Sequence, residues 1–111
     1  MGYRLEFRLG YRLGFWLTIN KKSRRVRFQP TTVGKNDLLI KIGYVNQNTM
    51  CFEIEDNNCN LRYFNPFADN IARLEADLMD RGYNPRLIVK IIETLREIHR
   101  QMLVQILIEE L

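Results

Sequence analysis

Only one histidine, two cysteines and three prolines occur among the 111 residues, and no stretch of 18 apolar residues runs without a charge. Each scarcity removes a class of function. His99 stands alone between Ile98 and Arg100, with no serine, cysteine or aspartate motif to place a nucleophile beside it, so no catalytic residue is expected and the chain is read as a non-enzyme. Cys51 and Cys59 are too few for a disulfide scaffold and lack the second ligand pair of a zinc site, so they are read as reduced, half-buried thiols. No metal and no cofactor is expected. Val33-Gly34-Lys35 lacks the first glycine and the following hydroxyl residue of a phosphate-binding loop. Without a long apolar run, no membrane span is expected. Arg4, Glu6, Arg8 and Arg12 interrupt the stretch where a signal peptide would be apolar, so the expected location is cytoplasmic.

Acidic residues are also nearly missing from the first third. Residues 1–35 hold nine Lys or Arg against the single acid Glu6, a local balance of +8. The remainder holds eight basic and twelve acidic side chains, a balance of −4. A chain polarised in this way points its N-terminal half at a polyanion or an acidic protein surface.

What is present is patterned. From Tyr3 to Ile19 every odd position is apolar, and alternation of period two is a strand signal because successive strand side chains point to opposite faces. Within it, residues 3–10 and 11–18 form an imperfect eight-residue repeat, read as strand duplication. At roughly 3.3 Å per residue the stretch exceeds the width of a small domain, so it must bend or reach a partner. Gly10 and Gly14 are the places where a bulge or kink is cheapest.

Asn20-Lys21-Lys22-Ser23 reads as a polar turn, and the alternation of Val26 and Phe28 reads as a hairpin return. Residues 30–37 are loop by composition. Leu38, Ile40, Ile42 and Tyr44 are expected to face Met50, Phe52 and Ile54 across a second hairpin, followed by a short strand at 60–64.

Helix signals then take over. Asn65-Pro66 and Asn84-Pro85 are cap and first-turn pairs, and Gly82 reads as a C-terminal stop. The expected fold is therefore α+β: one domain over 1–111, with an antiparallel sheet of four to six strands (3–64) and helices near 66–81 and 85–110. The last helix is apolar over most of its circumference, and such a helix must be covered on two sides. A homo-oligomer, most simply a dimer, is expected there, with Ile91, Leu95, Ile98, Met102 and Ile106 at the interface.

The chemistry-bearing feature is the basic, aromatic N-terminal sheet. Arg4, Arg8, Arg12 and Trp16 are expected on one face of the first strand, with Lys21, Lys22 and Arg24 in the turn and Arg25 and Arg27 on the next strand. Guanidinium groups neutralise phosphates and aromatic faces stack on bases, so this mixture suits single-stranded DNA or RNA. In architecture, a sheet followed by dimerising helices resembles the single-strand-binding transcriptional cofactors, which implies an oligomer displaying two basic sheets. The alternative is a protein-interaction factor, an assembly protein or a phage or mobile-element inhibitor of a larger complex, using the long first strand and apolar last helix as docking surfaces. Glu53, Glu55 and Asp56 are the densest acids and are read as a solvated strand face.

Overall fold

The computed structural model describes residues 12–46, 49–56, 60–63 and 67–110. Five strands, β1 (Arg12–Asn20), β2 (Val26–Phe28), β3 (Asp37–Asn46), β4 (Thr49–Glu55) and β5 (Asn60–Tyr63), precede two helices, α1 (Phe67–Asp80) and α2 (Pro85–Glu110). The fold is α+β, as the patterning indicates. The chain divides into two compact units, Met1–Phe67 and Ala68–Leu111.

In the first unit the strands form one antiparallel sheet in the order β2-β1-β3-β4-β5. Register follows the apolar alternation, because a slip of one residue would turn every buried side chain outward. Leu17 lies opposite Ile40 and Ile19 opposite Leu38. On the other side of β3, Ile40 meets Ile54, Ile42 meets Phe52 and Tyr44 meets Met50. Leu17, Ile19, Leu38, Ile40, Ile42, Phe52 and Ile54 are all fully buried. Phe52 also stacks on Tyr63 of β5, with ring centroids 4.8 Å apart.

A register shift between Leu13 and Phe15 marks a bulge at Gly14, one of the two glycines where the sequence reading placed it. It changes one expectation. Arg12 falls opposite Tyr44, in the row of Ile40 and Ile42, whereas Trp16 falls opposite Lys41 on the other row. The extra residue breaks the alternation, so Arg12 and Trp16 do not share a face. Arg4, Arg8 and the alternation from Tyr3 to Tyr11 lie outside the described residues, as does the Asn65-Pro66 cap.

The helical unit is punctuated as its residues require. Gly82 adopts a φ of 80°, its amide donates to the Met79 carbonyl and the Tyr83 amide donates to the Leu78 carbonyl, the paired bonds of a left-handed helix stop. Asn84 starts α2: its Oδ1 accepts from the Arg86 amide and its carbonyl from Ile88, with Pro85 in the first turn where no amide is needed. Among the described side chains, Ile71, Leu74 and Leu78 are the buried apolar residues of α1, and Leu87, Ile88, Ile91, Leu95 and Ile98 those of α2. Ile91, Leu95 and Ile98, expected at an oligomer interface, are buried residues of this helix. Met102 and Ile106 lie on α2 farther along.

A methyl group added at Gly82 would meet nothing within 4 Å, so substitution there isolates the cost of positive φ. Gly82→Ala is expected to lower stability by about 1 kcal/mol, read from the urea midpoint, with an unchanged far-ultraviolet spectrum. An unchanged midpoint would show that the stop is not held in this conformation.

Candidate nucleic-acid interface

The β1–β2 connection carries four of the chain's cations, Lys21, Lys22, Arg24 and Arg25, and β2 adds Arg27. Its shape is set by Asn20, the last residue of β1. The Asn20 Oδ1 accepts from the amides of Lys22 (3.0 Å) and Ser23 (2.9 Å), its carbonyl accepts from the Arg24 amide (2.6 Å), and its own amide donates to the Arg25 carbonyl (2.9 Å). An asparagine side chain that mimics a backbone turn is the local reason for the bend. Arg24 takes the left-handed position at the end of the loop, with a φ of 58°. That conformation ordinarily falls to glycine or asparagine and costs an arginine on the order of 1 kcal/mol.

Three further contacts anchor the loop to the sheet. The Lys21 amide donates to the Asn36 carbonyl at 2.8 Å. The Lys21 ammonium lies 3.7 Å from Asp56, whose carboxylate is almost completely enclosed. The Asn20 side-chain amide donates to Asp37, which also accepts from the Gly34 amide at 2.7 Å. Side chains from the ends of β1, β3 and β4 therefore meet at one corner.

The cations divide into two sets. Lys21 pairs with Asp56, Lys41 with Glu55 and Arg62 with Glu53, while the Arg27 guanidinium donates to the Thr32 carbonyl. Lys22, Arg24 and Arg25 have no side-chain partner among the described residues, and neither has Lys35. Lys22 and Arg25 are exposed and Arg24 is half-buried. Among the described side chains of the sheet unit, the cations without a partner are Lys35 and the three at the hairpin tip. In the row Trp16, Lys41, Glu53, Arg62, an acid stands between two bases.

Trp16 is half-buried, in the same row parity as Thr18 and Arg27, and its carbonyl accepts from the Gln29 amide at 2.9 Å. It stands four residues before Asn20, roughly 13 Å along the strand. The carboxylates Glu53, Glu55 and Asp56 are each spoken for by a cation. A surface hollow of about 410 Å³ beside them is lined by Val33, Gly34, Lys35, Asp37, Leu39 and the two acids Glu55 and Asp56. Among the described residues no three His, Cys, Asp or Glu side chains converge as metal ligands. No helix among them is long and apolar enough to cross a membrane.

Burial alters the acidity of Cys51 and His99. Cys51 is buried and free, and burial pushes its thiol above its ordinary value, which keeps it protonated and unreactive. Burial pushes His99 below its ordinary value of 6.5, which disfavours the imidazolium in the folded chain. Cys59 lies outside the described residues.

Sequence reasoning found the tip residues but missed what holds them. Asn20 carried a local signal, an asparagine at a strand end before a lysine turn. The ties to Asp37 and Asp56 span 17 and 35 residues and leave no mark in sequence spacing. No protein-family model, no curated protein and no solved structure matches the chain.

Because the folded His99 binds its proton more weakly than the unfolded one, its contribution is complete above pH 6.5 and is lost as pH falls through the folded value. Stability is expected to drop as pH falls below about 6.5, starting above the range in which Glu97, lowered from 4.5 chiefly by its hydrogen bond to Arg100, titrates. His99→Gln should flatten that drop in urea midpoints. An identical pH dependence in the variant would remove His99 as its source.

Proposed function

We propose that this chain binds single-stranded nucleic acid, and that it does so by neutralising phosphates at the β1–β2 hairpin tip. The observation that carries the reading is the gathering of Lys22, Arg24 and Arg25, each without an acidic partner, on a loop that Asn20 and Asp56 hold in place. Like charges this close repel one another, and a polyanion relieves the repulsion while releasing its own counterions. Arg24 and Arg25 present guanidinium groups, which match phosphate oxygens in a fork geometry that an ammonium lacks. Trp16, on the same strand as the tip, supplies an aromatic surface for a neighbouring base. The strained backbone at Arg24 fits this role, since a cation has been kept where glycine is easier.

Anisotropy titration of a labelled single-stranded oligonucleotide tests the reading. Three phosphate contacts give a log–log salt slope of about −2 for a single strand. Lys22→Ala with Arg25→Ala should cut the slope to less than half, whereas Arg62→Ala, whose guanidinium already pairs with Glu53, should leave affinity unchanged. Arg24→Gly is the sharper variant. It should raise stability by roughly 1 kcal/mol by relieving the positive φ, and weaken binding by removing a charge. Absence of binding at low salt, or a salt slope near zero, overturns the proposal.

A further inference from the structure

Serine occurs once in the 111 residues, and it stands at the hairpin tip inside the run Lys21-Lys22-Ser23-Arg24-Arg25. Ser23 is exposed. Its amide donates to the Asn20 Oδ1 at 2.9 Å, and its hydroxyl has no hydrogen-bond partner among the described residues. The described threonines differ. Thr18 is buried, and Thr94 spends its hydroxyl on the Lys90 carbonyl at 2.7 Å. Thr31 and Thr32 are exposed, but no cation stands among the three residues before either. Ser23 therefore combines exposure, a hydroxyl left over by the fold and positive charge on both sides.

We propose that Ser23 is a phosphoryl-acceptor site for a serine kinase that reads basic residues, and that its phosphorylation releases nucleic acid from the tip. In the transfer the Ser23 Oγ attacks the γ-phosphorus of a nucleoside triphosphate. The new O–P bond forms as the bond from that phosphorus to the β,γ-bridging oxygen breaks, the diphosphate leaves with the electron pair, and the hydroxyl proton passes to a base of the kinase. Lys21 and Lys22, directly before the acceptor, supply the charge that an acidic kinase cleft selects. Entry into such a cleft asks little of the fold. The bend is held by bonds from the Lys22, Ser23 and Arg24 amides to Asn20, and residues 21–25 include no apolar side chain, so opening it exposes no core residue.

Charge sets the consequence. Lys22, Arg24 and Arg25 supply three positive charges, and a phosphoserine brings about −1.5 to −2 at neutral pH, which leaves about +1. Its three acceptor oxygens also stand where the cations would meet the phosphate of a bound strand, so the modified side chain competes with the ligand from within. The effect on binding rests on the phosphate reading of the tip, whereas the acceptor role of Ser23 does not.

Incubation of the full chain with magnesium ATP and a purified serine kinase of basic specificity is the test. The intact mass should rise by one phosphoryl group, fragment spectra should place it on Ser23, and Ser23→Ala should remain unmodified. In phosphorus NMR the phosphoserine should lose its second proton below the ordinary pH of about 6, and Lys22→Ala with Arg25→Ala should bring that titration back toward the ordinary value. In anisotropy titrations the modified chain should bind a single-stranded oligonucleotide about tenfold more weakly at low salt, with the slope reduced from about −2 to about −0.7, while Ser23→Ala binds as the wild type. No phosphate on Ser23, or an ordinary phosphorus titration, overturns the site; undiminished binding by the modified chain overturns the switch. An unmodified chain that binds no oligonucleotide overturns the phosphate reading of the tip instead, and mass and phosphorus titration still decide the site.

Discussion

The position of each residue of the hairpin corner depends on the register of three neighbouring strands. Leu17 and Ile19 of β1, Ile40 and Leu38 of β3, and Ile54 and Phe52 of β4 stand in rows that leave no alternative pairing without exposing a set of fully buried side chains. At about 25 cal/mol per Å² of apolar surface, exposing several such side chains would cost more than a small domain has in reserve. This register also fixes where β1 ends. Asn20 comes opposite Asp37 because Ile19 comes opposite Leu38, and the loop cations follow directly after it. A polar site at a sheet corner is thus positioned by an apolar decision made two residues earlier.

The corner itself shows how a charged loop can be held without being neutralised. Lys21 is tied to the enclosed Asp56, and the bend is held by bonds from backbone amides to the Asn20 side chain, which use no cation. The side chains of Lys22, Arg24 and Arg25 are left for solvent or a ligand. On the rest of the sheet the same chain spends acids on bases: Glu53 on Arg62 and Glu55 on Lys41. Such exposed pairs contribute little to stability, typically under about 1 kcal/mol each. Their larger effect is on the local field, because each acid offsets the cation beside it in these strands.

Most of the architecture was legible in the sequence for a simple reason: its elements are marked locally. Alternation identified the strands, and Gly82 and Asn84-Pro85 marked where one helix stops and the next begins. The β3–β4 register could be read in advance because both strands carry their apolar residues at matching intervals from the turn. Reading failed where one residue changes parity. Gly14 was recognised as a place for a bulge, but Trp16 was still assigned to the face of Arg12, and the register shift at Gly14 puts the two in different rows. The compensation of Lys41 and Arg62 was also invisible, since cross-strand neighbours are set by register and not by proximity in sequence.

The last helix shows the same limit in another form. Counting apolar residues around its circumference gives one broad band, and the band implies a partner somewhere along its length. Burial divides the described part of that band into two faces. Leu87, Ile88, Ile91, Leu95 and Ile98 are buried, whereas Val89, Glu93, Arg96 and Arg100 are exposed. A count of apolar residues weighs every position of a helix alike, so it registers Val89 and Ile91 as equals, and only the packing of the first half separates them.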